Sequence, residues 1–295
     1  MSTPGTLLSF GHGYSAQALA ARLIPLGWQV IATTRRPEAR AAIAATGATP
    51  LVWPGCDLAP ALARASHVLS SVPPVPGQGD APSGGDPVLE GAGAALAQAR
   101  HLTWMGYLST TGVYGDHAGG WVDEDTPTAP GAPRSAARVA AEAAWTRTAA
   151  AAGVPLTVFR LAGIYGPGRS PFDTLRAGTA RAIVKPGQVF SRIHVDDIAQ
   201  AIAAAMARPT ATAVVNLADD LSAPPQEVIW HAADLAGLPR PPAIPFDAAD
   251  LGAMARSFYA ECRRTRNDRL KSALGVRLIH PDYRSGLAAI LRAGG

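Results

Sequence analysis

Cysteine, lysine and long apolar runs are all scarce in this chain, and each shortage excludes a class of protein. Cys56 and Cys262 are too few for a disulfide framework and lack metal-ligand spacing, so we expect reduced, structural thiols and no metal site. No run approaches the ~20 apolar residues of a membrane-spanning helix. The N-terminus lacks the basic start and long apolar region of a signal peptide. We therefore expect a cytoplasmic protein.

The positive charge of the chain is modest and dispersed. The net charge is +4 over 295 residues, and only Lys185 and Lys271 are lysines among the 26 basic residues. The arginines are scattered rather than clustered, which does not favour binding to nucleic acid or to a membrane. The partner that we expect is a small-molecule substrate.

A glycine-rich turn separates a short apolar strand from a helical pattern near the N-terminus. Residues 11–16 read Gly-His-Gly-Tyr-Ser-Ala, directly after the strand-like residues 7–10. The first glycine permits a tight turn, the second lets the backbone approach a pyrophosphate, and the alanine lets the helix pack closely. An ordinary turn is the alternative. The residues predicted to hold the pyrophosphate are Gly11, Gly13, Tyr14, Ser15 and Ala16.

The second strand of this βαβ unit ends on arginines instead of an acidic residue. In such units a carboxylate at this point holds the ribose 2′-hydroxyl of NAD. Here Thr34, Arg35 and Arg36 follow the strand, and two guanidiniums suit a 2′-phosphate. One charge-assisted bond of about 1.5–3 kcal/mol predicts a preference for NADP over NAD of roughly tenfold to a hundredfold. A solvated basic turn is the alternative.

Alternating strands and helices predict an α/β protein with a doubly wound parallel sheet, the Rossmann arrangement. Further strand-like runs occupy residues 49–53, 67–72, 102–109 and 156–160. Residues 1–160 are predicted as an NADP-binding Rossmann domain, to which residues 193–219 return. A smaller C-terminal substrate lobe is predicted from residues 161–192 and 220–295, closing over the carboxyl ends of the strands.

Two other strand ends are predicted to meet the cofactor. Asp57 follows the third strand, where its carboxylate can accept from an adenine amino group. Ser71, Val72 and Pro73 follow the fourth strand at the same edge. Residues 73–87 are rich in proline, glycine and aspartate and are predicted to form a mobile loop, with a lid as one interpretation.

Four segments, in order, resemble the extended short-chain dehydrogenase/reductase superfamily, which includes nucleotide-sugar epimerases and dehydratases. They are the glycine turn, Leu-Ser-Thr-Thr-Gly-Val-Tyr-Gly at 108–115, Phe-Arg-Leu-Ala-Gly-Ile-Tyr-Gly-Pro-Gly-Arg at 159–169 and Ile-His-Val-Asp-Asp-Ile-Ala at 193–199. The resemblance implies that Gly163 and Ile164 lie against the nicotinamide. It also implies that Thr110 stands at the position of the catalytic Ser/Thr.

The catalytic pair of that superfamily is missing. Its members transfer a proton with a tyrosine and a lysine four residues later, but Arg134 and Arg138 stand at those positions and no lysine precedes Lys185. A guanidinium does not deprotonate in proteins, so it cannot act as the base. The chain thus resembles atypical members that keep the fold and the cofactor site. Arg138 could still bond the ribose and stabilise negative charge.

Several residues are candidates for the remaining roles. The catalytic candidates are Thr110, Arg138 and Tyr114, and the substrate candidates are Tyr165, Arg169, Arg192 and His194. Each has a structural alternative: the threonine can cap its strand, the tyrosines can line the cleft wall, the histidine can hold its loop, and arginines are common on surfaces.

These observations predict an NADP-dependent oxidoreductase that transfers hydride to a small carbonyl, imine or sugar-like substrate. The alternatives are a non-catalytic NADP-binding sensor and an epimerase/dehydratase-like enzyme. A homodimer through the alanine-rich helices at 87–100 and 133–151 is a further option, although such faces can equally pack on their own sheet.

Overall fold

A parallel sheet of seven strands forms the centre of the computed structural model, which describes residues 4–77, 84–209 and 213–294. In chain order the strands are β1 (Thr6–Phe10), β2 (Gln29–Thr34), β3 (Thr49–Val52), β4 (His67–Ser70), β5 (Trp104–Thr110), β6 (Trp121–Val122), β7 (Leu156–Leu161), β8 (Gly163–Tyr165), β9 (Ala182–Val184), β10 (Arg192–His194), β11 (Ala213–Leu217), β12 (Ala243–Pro245) and β13 (Arg264–Thr265).

Eleven α-helices are assigned within those described ranges. They are α1 (Tyr14–Leu23), α2 (Arg40–Ala45), α3 (Ala59–Arg64), α4 (Pro87–Gln98), α5 (Pro133–Ala152), α6 (Pro171–Arg176), α7 (Val195–Ala207), α8 (Pro225–Leu235), α9 (Ala253–Phe258), α10 (Asp268–Leu274) and α11 (Tyr283–Arg292).

The central sheet has the order β3-β2-β1-β4-β5-β7-β11, and every neighbouring pair is parallel. Helices cover both faces, so the inner strands are buried along their length, as β4 and β7 are. The predicted doubly wound Rossmann fold is confirmed. The order reverses between β1 and β4, and ligands of such sheets bind outside the carboxyl ends of the strands at this point.

Two apolar clusters attach the helices to the sheet. Leu19 of α1, Ile198 of α7 and Leu270 of α10 belong to the cluster on one face. Leu96 of α4 and Trp145 of α5 belong to the cluster on the other face. The predicted boundaries place α10 in the substrate lobe. It packs instead with the large sheet, because its apolar side chains are buried there.

A smaller unit lies beside the carboxyl edge of the sheet. Helices α6, α8 and α11 contribute Phe172, Val228 and Leu287 to its buried cluster. Strand β8 pairs with β10 and β9 pairs with β12, both in parallel. The unit therefore positions residues 163–169 next to the strand ends of the large sheet.

The other expectations from composition meet the structure in part. No helix in the described ranges is both long and apolar enough to cross a membrane. Both cysteines are free, and Cys56 is exposed, so it is not a core residue. The proposed lid at 73–87 includes residues 78–83, which lie outside the described residues. The cytoplasmic location stays a prediction.

Candidate cofactor and substrate cleft

The glycine turn after β1 has the geometry of a phosphate cradle. Gly11 has φ +78°, and a Cβ there would lie 2.9 Å from the hydroxyl oxygen of Ser71, so both backbone and space favour glycine. Its N–H donates to Oγ1 of Thr33 at 2.9 Å. A Cβ on Gly13, by contrast, would meet nothing within 4 Å. The backbone at Gly13 is thus open to an approaching ligand.

The start of α1 offers its backbone donors to such a ligand. No side chain caps this helix, and its first turn contains no acidic residue. Uncapped N–H groups at a helix start attract anions. Both ring nitrogens of His12, within the turn, are buried without a hydrogen-bond partner in the described part of the chain. Ser15 and Ala16 are buried beneath the helix start. This arrangement fits the pyrophosphate of a dinucleotide.

The two arginines after β2 lie next to this turn, because the Gly11–Thr33 hydrogen bond joins the ends of β1 and β2. Arg35 and Arg36 are exposed, and within the described ranges neither takes part in an ion pair. The hydroxyl of Thr34 accepts from the N–H of Arg36 at 3.1 Å. The arrangement fits a 2′-phosphate.

Asp57 has a local role in the structure. It is exposed, and Oδ1 accepts from the N–H of Ala59 at 2.9 Å at the start of α3. It lines a separate depression between α3 and α4. Its role toward adenine stays a prediction.

A cleft of about 1030 Å³ lies along the carboxyl edge of the sheet. It brings together most of the residues predicted for cofactor, catalysis and substrate. The predicted residues that line it are Gly13, Tyr14, Ser15, Ser71, Pro73, Thr110, Arg138, Gly163, Ile164, Tyr165, Arg169 and Arg192. Val72 packs behind the turn, with Cγ2 3.2 Å from the Cβ position of Gly11.

Tyr14 links the glycine turn to the smaller unit across this cleft. Its hydroxyl donates to the carbonyl of Pro167 at 2.8 Å, and the guanidinium of Arg169 lies 5.9 Å from the ring centroid. The exposed Arg169 thus stands at the cleft rim, where it is free to meet an anionic group.

At the end of β5, Thr110 and Arg138 are both engaged with the backbone. Oγ1 of Thr110 accepts from the N–H of Gly112 at 3.1 Å, which leaves its O–H free to donate into the cleft. Thr110 can therefore cap the end of its strand and still contact a substrate. Arg138 donates to the carbonyl of Leu108 at 2.5 Å and to the hydroxyl of Tyr107 at 3.2 Å. Its guanidinium fastens β5 to α5.

Arg134 connects the cleft wall to α9, a contact that sequence reasoning missed. Its guanidinium donates to Oγ of Ser257 at 2.8 Å and lies 4.5 Å from the ring centroid of Phe258. Arg134 stands at the position of the catalytic tyrosine of the superfamily. It connects α5 to α9, and both helices line the cleft.

A buried ionic network lies beneath the end of β5. Arg160 and Glu142 form an ion pair at 2.8 Å, and the hydroxyl of Ser109 donates to Glu142 at 2.5 Å. The guanidinium also lies 4.9 Å from the ring centroid of Tyr114. Glu142 follows Arg138 by four residues, so one face of α5 carries both. That spacing was visible in the sequence, but the partner on β7 was not.

Two of the residues predicted for catalysis and substrate binding, Tyr114 and His194, do not line the cleft. Tyr114 is fully buried, and its hydroxyl donates to Oδ1 of Asn216 at 2.7 Å. His194 is buried and caps α7, because its Nδ1 accepts from the N–H of Asp196 at 3.2 Å. Burial and the neighbouring His280 lower the pKa of His194 to about 4. The structure removes Tyr114 from the catalytic candidates and His194 from the substrate candidates, because each side chain is buried and bonded within the protein.

Tyr165 and Arg192 line the substrate end. The Tyr165 hydroxyl donates to the carbonyl of Asp282 at 3.2 Å, and burial raises the pKa of this phenol. Arg192 donates to the carbonyl of Phe190 at 2.9 Å, and its own carbonyl accepts from the N–H of Asp219 at 2.6 Å. Burial raises the pKa of the Asp219 carboxyl to about 8. Arg192 is therefore a cation beside a largely neutral acid.

Residues 93–218, from α4 to just beyond β11, match the model of the NAD dependent epimerase/dehydratase family. This part of the chain is similar to that family. The matched part contains the end of β5 and the start of α5, where the catalytic pair is replaced. A family of nicotinamide-dependent enzymes agrees with the glycine turn and the Rossmann sheet.

Individual relatives span different parts of the chain. A 3-diazoavenalumate denitrifying reductase from Streptomyces sp is 34% identical over 176 residues, which are 56% of this chain and 58% of the reductase. The match thus spans somewhat more than half the length of that curated relative. A conserved protein of unknown function from Silicibacter pomeroyi DSS is 56% identical, with a TM-score of 0.91 over 98% of this chain and 99% of that chain.

More distant structures share the fold. A UDP-glucuronic acid 4-epimerase from Bacillus cereus, solved with NAD, is 16% identical, with a TM-score of 0.75 over 97% of this chain and 96% of that one. At this identity the likeness shows the fold alone. It places the seven-stranded sheet among the Rossmann structures of epimerases.

Proposed function

We propose that this protein is an NADP-dependent oxidoreductase that transfers hydride to a small carbonyl, imine or sugar-like substrate. The observation that carries the proposal is the glycine turn. Its open backbone at Gly13 and the uncapped start of α1 lie beside two arginines without ion-pair partners, and the same cleft reaches Thr110. NADPH, when bound, supplies the hydride.

The residues of this chain would bind the cofactor and polarise the substrate. Gly11–Ala16 would receive the pyrophosphate, Arg35 and Arg36 the 2′-phosphate, and Gly163 with Ile164 the nicotinamide side. The free O–H of Thr110 donates to the acceptor atom of the substrate, where negative charge develops during reduction. Arg138 stays cationic at the end of β5 and adds positive potential there.

Reduction suits this site better than epimerisation or dehydration. Those reactions remove a proton from the substrate and therefore need a base, which Arg134 and Arg138 do not provide. The acidic residue on the described lining, Glu261, is paired with Arg263 at 2.7 Å. The curated relative named as a reductase favours the same interpretation.

The cofactor preference is tested by fluorescence titration of NADPH and NADH. Replacing both arginines, Arg35→Ala with Arg36→Ala, should weaken NADPH roughly tenfold to a hundredfold and leave NADH nearly unchanged, because only NADPH carries the 2′-phosphate. Arg100→Ala is the control, since this exposed arginine precedes β5 at the opposite edge of the sheet. Equal losses for both nucleotides would remove the argument for NADP.

Turnover is tested by NADPH oxidation with a panel of carbonyl and imine compounds. Thr110→Val should lower kcat by about tenfold, because the substrate loses a hydrogen-bond donor in the transition state. The second candidate, an NADP-binding sensor, is favoured by the engagement of both Arg134 and Arg138 within the protein. Tight NADPH binding with no turnover across the panel would select the sensor. Homodimerisation through α4 and α5 stays a proposal.

A further inference from the structure

One end of the cleft contains buried hydrogen-bonding atoms without partners. Thr265 is 2% exposed and lines the cleft, and its Oγ1 has no partner in the described ranges. Nε of Arg263, two residues earlier, is likewise buried and unpartnered in those ranges. A buried donor without an acceptor is costly, so such atoms indicate a place for a ligand. Both atoms can donate, which favours a ligand that accepts.

The charge at this end favours a single anionic group. Oγ of Ser191 accepts from the N–H of Thr265 at 3.0 Å, which brings the neighbouring Arg192 to the same place. Arg192 bonds neutral carbonyl oxygens, and the acid that acts on it most strongly, Asp219, has a pKa raised to about 8 by burial. Arg263 is already neutralised by Glu261 at 2.7 Å. Within the described ranges Arg192 takes part in no ion pair, so its guanidinium can meet an anionic ligand.

Aromatic rings form the adjoining wall. Phe190 and Tyr259 meet edge to face, with centroids 5.4 Å apart, and Phe258 next to Tyr259 is 52% exposed. All three line the cleft. Such a wall favours a flat, unsaturated ligand, because aromatic faces and edges attract one another beyond simple burial.

The available space favours a small ligand. The whole cleft measures about 1030 Å³ and has to admit the nicotinamide half of the cofactor as well. Pockets for one small molecule commonly occupy about 300–1,000 Å³. The room beside Phe190 therefore suits a compact molecule rather than a second nucleotide.

We propose that the substrate is a small aromatic carboxylate, whose carboxylate binds Thr265, Arg263 and Arg192 and whose ring lies against Phe190 and Tyr259. The assignment to a substrate rests on the proposed function. The binding site itself does not, since none of its residues belongs to the glycine turn.

The first test is calorimetric titration of the protein saturated with NADP⁺. The probes are trans-cinnamate, its neutral amide cinnamamide, the non-aromatic acid hexanoate, and UDP-glucose. We expect cinnamate to bind at least about tenfold more tightly than either cinnamamide or hexanoate, since one lacks the charge and the other the ring. UDP-glucose should bind more weakly than cinnamate.

The second test locates the carboxylate. Thr265→Val, which keeps the shape of the side chain, should weaken cinnamate by about tenfold and leave cinnamamide nearly unchanged. Thr148→Val is the matched control, because the Thr148 hydroxyl donates to the carbonyl of Ala144 in its own helix. Phe190→Leu should reduce the advantage of cinnamate over hexanoate, which a purely structural role of this ring would not do.

Several outcomes would overturn the proposal. These are equal affinity for cinnamate and cinnamamide, tighter binding of UDP-glucose, no detectable binding of cinnamate, or no effect of Thr265→Val. NADP⁺ affinity is measured separately beforehand. If the protein does not bind NADP⁺, the proposed function is contradicted. Titration of cinnamate into the protein without NADP⁺ would then still test the carboxylate site.

Discussion

The glycine turn and the start of α5, here called the first and the second end of the cleft, are built from different kinds of groups. At the glycine turn the ligand-facing groups are backbone N–H groups, and the side chains at Gly11 and Gly13 matter by their absence. At the start of α5 the superfamily that the sequence resembles relies on side chains, and Arg134 and Arg138 stand at those positions. A backbone site persists wherever strand, turn and helix are kept, whereas two substitutions suffice to change a side-chain site. Cofactor binding and proton transfer are therefore separable in this fold.

The replaced residues at the second end have acquired structural roles. Arg138 fastens the end of β5, and Arg134 ties α5 to α9. One helical turn further on, Glu142 holds the buried Arg160. The first end is open and uncapped, while the second is internally bonded. Four experiments sharpen or break this contrast.

The largest effect is expected at the buried pair of the second end. Glu142→Gln should lower the free energy of unfolding by about 3–5 kcal/mol, because Arg160 stays buried without a counter-charge. Calorimetric melting measures the change. Asp234→Asn, which breaks the exposed pair with Arg240, is the control and should change little. A Glu142→Gln protein as stable as its parent would show that this end is not held ionically.

The next effect concerns pH and the acid beneath Arg192. Because burial raises the pKa of Asp219 to about 8, folding favours its neutral form, and this stabilisation is lost as pH rises toward 8. Asp219→Asn stays neutral throughout. From about pH 5 to pH 8 the parent should therefore lose on the order of a few kcal/mol relative to the variant. Melting temperatures that change in parallel with pH would contradict the raised pKa.

A third experiment tests the open backbone of the first end. Gly13→Val should weaken NADPH about a hundredfold, because the branched side chain would occupy the space proposed for the pyrophosphate. The fold should be unaffected, since a Cβ there meets nothing within 4 Å. Gly252→Val shares that open space outside the turn and serves as the control. Unchanged NADPH fluorescence titrations for Gly13→Val would place the cofactor elsewhere.

The smallest effect is expected at Arg138. Arg138→Met loses the hydrogen bonds to Leu108 and Tyr107 and should cost about 1–2 kcal/mol in urea unfolding. Arg138→Lys should recover part of the stability. It should not raise kcat, because Arg134 still replaces the tyrosine. An increase in kcat with lysine alone would show that the second end retains another proton donor.

The fold was predictable to the extent that its signals are local. The strand-like run at 156–160 corresponds to β7, and the glycine turn was placed correctly between β1 and α1. Period-two and period-3.6 patterns report burial within one element. They do not report which elements share a core, so α10 was assigned to the wrong part of the molecule.

The same distinction between local and long-range contacts applies to the candidate site. Residues of the glycine turn were predictable because one short segment contains the whole arrangement. The prediction that Tyr114 is catalytic was wrong because the sequence near a strand end does not show whether a tyrosine faces the cleft or a buried partner, here Asn216. Thr265, whose Oγ1 has no partner in the described ranges, carried no sequence signal, since its position depends on the pairing of β13 with β6 and on the hydrogen bond from its N–H to Ser191.

The sequence by itself determined the parallel sheet, the phosphate turn, the arginines after β2 and the loss of the catalytic pair, because each follows from residue type and spacing within a few turns of chain. Only the tertiary structure decided the burial of Glu142 with Arg160, the tie between Arg134 and α9, and the donors that converge near Arg192. These contacts join residues distant in sequence, and their energies depend on desolvation, which exists only once the chain has packed.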